Sequence, residues 1–112
     1  MNWHPLTTSD QLNSIDQASQ QQLQLILKHS TRCSISSAAL SRIERNWQDE
    51  DSKKINPNYL DLIQYRDVSN FIASHYGIEH QSPQILIIKN GKCIYSATHF
   101  DINYQEIMSQ SI

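Results

Sequence analysis

The chain has 112 residues, which fits one small domain with a single modest core, residues 1–112. Hydrophobic residues make up 38% and charged residues 18% of the chain, a composition typical of globular rather than disordered proteins. The formal net charge of −2 excludes the strong basic footprint of proteins that bind nucleic acid or anionic membranes.

The sequence also bears on location and on the state of its thiols. No apolar run approaches the length of a membrane span, and MNWHPLTTSD at the start lacks the basic and apolar regions of a secretory signal. A cytoplasmic protein is therefore expected, with no membrane or nucleic-acid partner, and a monomer is expected. The two cysteines, Cys33 and Cys93, are too few for a disulfide-dependent secreted protein. Both are expected to be free thiols.

The first half of the chain predicts two strands, each followed by a helix. A short edge strand is predicted over Asn2–Leu6, and Thr8 and Gln11 then have the spacing of a capping box. The apolar run Leu23–Leu27 predicts a central strand. A helix is predicted over Ser34–Trp47 because apolar residues recur every four positions: Ile35, Ala39, Ile43 and Trp47.

The middle of the chain predicts a loop, a strand and a third helix. The charged stretch Asp49–Lys54 is typical of a solvated loop, which Pro57 closes, and a strand is predicted over Tyr59–Tyr65. Asp67 is predicted to cap a helix that Gly77 ends. The predicted inner face of this helix consists of Val68, Phe71, Ile72, His75 and Tyr76.

The last third predicts a hairpin and a final helix. Gln84–Lys89 is the most β-like segment, and Asn90-Gly91 is a strong two-residue turn that leads into Cys93–Thr98. Asn103, with Glu106 three residues later, starts the last helix. The resulting order, β-α-β-α-β-α-β-β-α, predicts an α/β fold with a mixed central sheet flanked by helices.

Cys33 lies at the predicted junction between a strand and a helix. A helix N-terminus presents unpaired backbone N–H groups and the positive end of the helix dipole, and both favour a thiolate over a thiol. Arg32 adds positive charge next to it. Ligands also tend to bind at the carboxyl ends of strands in open α/β sheets. Cys33 is therefore predicted to be the reactive thiol, although free cysteines are often inert and buried.

The segment Cys33-Ser34-Ile35-Ser36 has the pattern C-x-x-S. In a C-x-x-C pair the second thiol resolves a mixed disulfide by attacking the first sulfur. A serine hydroxyl can hydrogen-bond a thiolate, but it cannot take part in that exchange. If Cys33 is a nucleophile, an external thiol must release its mixed disulfide.

The order of elements, with C-x-x-S before the second helix and Ser82-Pro83 before a strand, resembles the thioredoxin fold over nearly the whole chain. The resemblance implies that the Ser82-Pro83 bond is cis and lies opposite the reactive sulfur, and that the backbone before Pro83 contacts the bound disulfide partner. The bland alternative is a proline that simply marks a strand edge.

Within that superfamily the sequence is similar to the YtxJ family of bacilliredoxin-like, monothiol proteins. The similarity is carried by KHSTRCSISSAAL (28–40), HPLTTSDQL (4–12) and HQSPQILIIKNGK (80–92). It implies reduction of mixed disulfides between client proteins and bacillithiol, a small cytosolic thiol of certain bacteria. Bacillithiol would be the co-substrate, and no bound cofactor is expected. Some relatives carry proline directly after the cysteine, where this chain has Ser34.

In this scheme Cys33 attacks the protein–bacillithiol disulfide, takes the bacillithiol onto its own sulfur and releases the client as a free thiol. A second bacillithiol then regenerates Cys33. The residues expected to contact the substrate are Thr31, Arg32, Ser34, Ser36, Ser82 and Pro83.

Two alternatives stay open. The chain could be a non-catalytic binding or adaptor module of the same fold, or a thiol redox sensor that is capped under oxidative stress. A metal site is not expected, because only His29 accompanies Cys33 in sequence and no C-x-x-C or paired-histidine motif is present. Cys93 alternates with Tyr95 and Ala97 on one face of a strand, which favours a structural role.

Overall fold

The computed structural model describes residues 1–112 and contains one five-stranded mixed sheet with helices on both faces. The strands are β1 His4–Pro5, β2 Leu23–His29, β3 Ile55–Asp61, β4 Gln84–Lys89 and β5 Lys92–Thr98. Their spatial order is β1-β3-β2-β4-β5. β1, β3 and β2 run parallel, whereas β4 is antiparallel to β2 and β5 is antiparallel to β4. The predicted α/β class and mixed sheet are confirmed.

Five α-helices flank the sheet: α1 Gln11–Ala18, α2 Ser34–Asn46, α3 Asp51–Lys54, α4 Arg66–Tyr76 and α5 Tyr104–Ser109. A 3-10 turn covers His99–Asp101. None of the helices has the length and apolar character needed to cross a membrane.

The strands bury both faces, so the sheet has a separate core on each side. The core on the α2 side, here called the α2 core, includes Leu25 and Leu27 of β2, Ala39 and Ile43 of α2, and Ile107 of α5. The core on the opposite side, the α4 core, includes Leu12 and Ile15 of α1, Ile26 of β2, and Val68 and Ile72 of α4. Because side chains alternate along a strand, Lys28 follows Ile26 to the α4 side and His29 follows Leu27 to the α2 side.

Two predictions for the middle of the chain were wrong. The strand predicted over Tyr59–Tyr65 lies four residues earlier, at Ile55–Asp61, and contains Pro57. Proline is tolerated there because β1 pairs only with Asn58 and Tyr59, so no strand on that side needs an N–H from position 57. The loop predicted over Asp49–Lys54 contains α3, whose start is fixed by Asp51 Oδ2 accepting from Gln48 N–H at 2.8 Å.

The predicted inner faces of two helices were partly wrong. In α4 the buried residues are Val68, Ser69 and Ile72, whereas Phe71 and His75 are exposed. The helix starts after Tyr65, so Asp67 lies in its first turn and is not the cap; Gly77 ends the helix at φ 68°, as predicted. In α2 the side chain of Ile35 is 37% exposed, and the fully buried residue of the first turn is Ser36.

The other predicted local signals correspond to real contacts. Gln11 Oε1 accepts from Thr8 N–H at 2.9 Å, which forms one half of the predicted capping box. Asn103 Oδ1 accepts from Glu106 N–H at 2.9 Å at the start of α5. The hairpin turn is confirmed: Asn90 and Gly91 both adopt positive φ, 52° and 74°.

Candidate functional site

Cys33 lies in a turn that connects β2 to α2. The turn covers Ser30–Cys33 and is closed by Cys33 N–H, which donates to the Ser30 carbonyl at 3.2 Å. Cys33 is the N-cap of α2, with extended backbone angles of φ −112° and ψ 121°. Its side chain is partly exposed and is a free thiol. The structure therefore confirms the prediction that Cys33 lies between the end of a strand and the start of a helix.

Backbone donors without helical partners lie at the start of α2, directly after Cys33, whose side chain accepts no capping hydrogen bond from them. The first amide that bonds into the helix is Ser37 N–H, which donates to the Cys33 carbonyl at 3.0 Å. The amides of the first turn therefore have no partner inside the helix and form the positive end of its dipole. Arg32, directly before Cys33, is exposed, so its charge is screened by solvent. The backbone is thus the more constant source of positive potential near the thiol.

Ser36 is fully buried at the base of the turn. Its Oγ accepts from Ser30 N–H at 3.0 Å and lies 2.6 Å from His29 Nδ1. No hydrogen bond joins Ser36 to Cys33. The Ser36 hydroxyl therefore links the Ser30–Cys33 turn to the first turn of α2. The predicted contact between Ser36 and the substrate stays a prediction.

His29 is a member of the site that sequence reasoning missed. It is 4% exposed at the end of β2, and its ring lies 5.6 Å from the ring of Tyr59, measured between centroids. Burial lowers the pKa of His29, although the nearby Asp61 carboxylate opposes this shift. The imidazole is therefore neutral at neutral pH. The only signal available in the sequence was a histidine placed between the apolar run Leu23–Leu27 and the cysteine, separated from that run by Lys28.

Pro83 is held at the same edge of the sheet as Cys33. Gln84 pairs with Lys28 in the β2–β4 ladder, so Pro83 lies beside the end of β2 from which the cysteine turn departs. The Ser82-Pro83 peptide bond is cis, as predicted. The Pro83 carbonyl accepts from His99 N–H at 3.1 Å.

Arg42 of α2 connects this helix to the segment that follows β5. Its Nη2 donates to the His99 carbonyl at 3.0 Å, and its Nε donates to the Ile102 carbonyl at 3.1 Å. His99 adopts a positive φ of 53°, which is uncommon for a residue other than glycine. The helix that starts at Cys33 is thus connected through Arg42 and His99 to Pro83.

The remaining predicted contact residues fall into two groups. Thr31, Arg32 and Ser34 are exposed around Cys33 and are free to meet a substrate. Ser82 Oγ is buried and has no hydrogen-bond partner, so a contact from Ser82 would come from its backbone. The binding roles of all four residues stay predictions.

Cys93 lies far from this site, for a reason the sequence did not reveal. A β-bulge between Ile87 and Ile88 shifts the β4–β5 register, so Ile87 pairs with Tyr95 but Ile88 pairs with Cys93. Cys93 consequently packs against the α4 core, while Tyr95 and Ala97 belong to the α2 core. The predicted shared face was wrong. Burial raises the pKa of the Cys93 thiol, and its Sγ donates to the Tyr95 carbonyl at 3.3 Å.

Three exposed apolar side chains belong to segments that meet at the Cys33 edge of the sheet. Ile35 lies in the first turn of α2, Ile63 follows β3, and Phe100 follows β5; they are 37%, 38% and 75% exposed. Sequence reasoning assigned Ile35 to the core and gave no role to the other two. No three histidine, cysteine, aspartate or glutamate side chains converge in a way that could hold a metal ion.

Comparison with known proteins agrees with this geometry. A family model described as "Monothiol bacilliredoxin BrxC" matches residues 4–107. A solved structure described as a putative oxidoreductase with a thioredoxin fold is 29% identical, with a TM-score of 0.79, over 96% of this chain and 91% of that one. Thioredoxin from Malassezia sympodialis is 15% identical, with a TM-score of 0.74, over 98% of this chain and 88% of that one. Thioredoxin from Fasciola hepatica is 15% identical, with a TM-score of 0.71, over 96% and 95%. The predicted thioredoxin-like fold and the resemblance to bacilliredoxins are confirmed.

Proposed function

Since the chain belongs to the monothiol bacilliredoxin family, we propose that it is an oxidoreductase that removes bacillithiol from protein–bacillithiol mixed disulfides through Cys33. The observation that supports this most directly is the pairing of one partly exposed thiol at the N-cap of α2 with a buried serine at the last position of C-x-x-S. Cys33 has a helix N-terminus beside it, and Ser36 offers no second sulfur.

The reaction is a pair of thiol–disulfide exchanges. The Cys33 thiolate attacks the bacillithiol sulfur of the client's mixed disulfide, so one S–S bond forms as another breaks. The client leaves as a thiolate and takes a proton from solvent. A bacillithiol thiolate then attacks the bacillithiol sulfur held on Cys33, which frees the enzyme and produces oxidised bacillithiol. Two electrons thus pass from bacillithiol to the client.

Each group around Cys33 has a part in this chemistry. The first-turn amides of α2 stabilise negative charge on the sulfur as attacking group and as leaving group. The exposed residues Thr31, Arg32 and Ser34 meet the small-thiol portion of the substrate. Arg32 suits this role because it adds positive charge beside Cys33, whose sulfur is negatively charged when it attacks and when it leaves. The backbone at Ser82 and Pro83 receives the disulfide opposite Cys33.

A protein is the substrate that best fits the outer surface of the site. Ile35, Ile63 and Phe100 expose apolar area at this edge of the sheet, and exposed apolar area of this kind is used for protein contacts. The proposed clients are therefore proteins carrying bacillithiol, acted on in the cytoplasm.

The direct test uses a model protein whose single cysteine carries bacillithiol as a mixed disulfide. The wild type is expected to release the client thiol and to gain the mass of bacillithiol on Cys33, and Cys33→Ala is expected to do neither. No release by the wild type, while dithiothreitol releases the client, would contradict the proposed activity. If Cys33 becomes capped by oxidised bacillithiol but never accepts bacillithiol from a client, the chain is a sensor rather than a reductase.

A further inference from the structure

Lys28 is a charged side chain buried in the α4 core without a countercharge. Its residue is 0% exposed, and the one ion pair of the chain joins His75 to Asp16 instead. An unpaired ammonium is costly to bury, so the position is unusual for lysine. Burial lowers the pKa of Lys28 to about 8, which leaves it mostly protonated at neutral pH.

The Lys28 ammonium contacts a backbone carbonyl and a histidine ring on the α4 side of the sheet. Its Nζ donates to the Ser69 carbonyl in α4 at 3.1 Å and lies 3.3 Å from His80 Nδ1. Ser69 Oγ lies 3.2 Å from the same ring nitrogen. Burial and the nearby charges of Lys28 and Arg66 lower the pKa of His80, so a neutral His80 accepts these bonds.

His80 belongs to the segment 77–82, here called the Pro83 loop because it leads directly into Pro83. Lys28 and Gln84 are cross-strand partners in the β2–β4 ladder. Gln84 Nε2 donates to the Glu79 carbonyl at 3.0 Å. Lys28 and Gln84, which are neighbours in the sheet, therefore contact two consecutive residues of this loop. Gln84 binds the Glu79 carbonyl and Lys28 contacts the His80 ring.

We propose that Lys28 is a positioning residue that, through His80, fixes the Pro83 loop so that the backbone at Ser82 is ready to receive the disulfide. This inference rests on the proposed exchange reaction. Lys28 does not touch the reacting atoms, because it points to the α4 side of the sheet, whereas the cysteine turn continues from His29. Arg42 and His99 support Pro83 from the other side.

Two reactions of Cys33 distinguish this role from a general structural one. Exchange with a bacillithiolated model protein needs both the thiolate and the Pro83 loop, whereas alkylation by iodoacetamide needs only the thiolate. In Lys28→Met the exchange rate constant is expected to fall about tenfold or more, because small misplacements of a binding segment are costly. The alkylation rate is expected to stay within about twofold of wild type.

His80→Ala breaks the same contact from the loop side, so it tests the proposal even if Lys28→Met does not fold. It is expected to show the same selective loss, and the double variant should be no slower than the slower single variant. Lys89→Met, at an exposed position at the far end of β4, is the matched control and should leave both rates unchanged.

Amide hydrogen exchange provides a readout that does not depend on the substrate. The amides of residues 78–82 are expected to exchange faster in Lys28→Met and His80→Ala than in wild type. Unchanged client exchange in a folded variant would overturn the inference, as would equal losses in both reactions. A wild type without activity on the client would instead refute the proposed function, and protection of the loop by Lys28 would still be measurable.

Discussion

Ser36 Oγ lies 2.6 Å from His29 Nδ1, at the place in the motif where a dithiol oxidoreductase has its second sulfur. The same oxygen accepts from Ser30 N–H at 3.0 Å. One hydroxyl in the first turn of α2 therefore contacts both the last residue of β2 and the first residue of the cysteine turn. Ser36 thus does more than replace the second cysteine of a C-x-x-C motif. It anchors the cysteine turn to α2 through these two contacts.

Removing this anchor should weaken both the fold and the site. In Ser36→Ala, Ser30 N–H and His29 Nδ1 lose a buried partner, so the free energy of unfolding should fall by about 1–3 kcal/mol. Client release should slow because the turn carrying Cys33 is no longer fastened to α2. Urea unfolding and the client assay measure these effects. Ser37→Ala, at an exposed position, is the control, and equal unfolding midpoints for both variants would contradict the anchor role.

Ser36→Cys should change the product rather than abolish the reaction. A second thiol three residues after Cys33 can attack the mixed disulfide on Cys33, as in C-x-x-C proteins. Mass spectrometry of the enzyme after one turnover should show loss of two hydrogens in this variant and a bacillithiol adduct in wild type. A persistent adduct in Ser36→Cys would mean that the buried position prevents sulfur–sulfur contact.

The two cysteines should differ sharply in reactivity. Because burial raises the pKa of Cys93, iodoacetamide at pH 7.5 should modify Cys33 first and Cys93 only after unfolding. Cys93→Ala should retain client release and lose about 1 kcal/mol of stability through a small cavity. Peptide mapping after timed alkylation measures the order of modification. Comparable loss of activity in Cys33→Ala and Cys93→Ala would show that Cys93 is a resolving thiol.

Stability should rise with pH on account of Lys28. Its pKa is about 8 in the folded protein against a reference of 10.5, so between these values the unfolded chain holds more protons. The free energy of unfolding therefore increases as pH rises from 8, by up to about 1.4 kcal/mol per pH unit. Below that range Lys28 is charged in both states, so its unfavourable contribution does not change with pH.

Subtracting the curve of Lys28→Met removes the other groups that titrate in this range. Urea unfolding at pH 7, 8, 9 and 9.5 should give a wild-type-minus-variant difference that is flat at first and then climbs. Parallel curves over the whole range would mean that the Lys28 ammonium is not desolvated in the folded protein.

A stability contact far from the thiol provides a contrast. Tyr104 OH donates to Asp51 Oδ2 at 2.6 Å, which joins α5 to α3 and raises the pKa of Tyr104 to about 12. Tyr104→Phe should lower the free energy of unfolding by about 1–3 kcal/mol, because the bond is to a charged group, and leave client release unchanged. Tyr65→Phe removes a hydroxyl for which the structure has no hydrogen bond, and should cost less. A loss of activity in folded Tyr104→Phe would contradict this division.

The sequence predicted the parts of the fold that depend on local chemistry. The Asn90-Gly91 turn, the Asn103 cap and the Gly77 terminus each need a particular backbone angle or side-chain acceptor, and these requirements are visible in a few residues. The third strand was predicted too far along the chain because a proline, here Pro57, usually indicates a loop. Pro57 is acceptable inside β3 only because β1 is short and does not pair with that position.

The site was predictable as far as the thiol and Pro83, and not beyond. C-x-x-S marks Cys33, and alternation along β2 places Lys28 and His29 on opposite faces. Nothing local in LKHS indicates that these two side chains contact Ser69 and Ser36. Ile35 matched the spacing of the core residues and is exposed, because the polar Ser36 occupies the buried position of that turn. Such assignments depend on contacts between residues distant in sequence, which periodicity does not encode.

The position of Cys93 in the terminal hairpin decides whether one molecule can form a disulfide between its own two cysteines. Cys93 pairs with Ile88, four residues along β4 from the Gln84–Lys28 pair, which is about 13 Å at the usual strand rise. It also faces the other side of the sheet from His29 and the cysteine turn. An internal disulfide is therefore out of reach. Every disulfide form of Cys33 within one molecule must therefore take its second sulfur from outside, and the identity and amount of that partner can be measured as added mass.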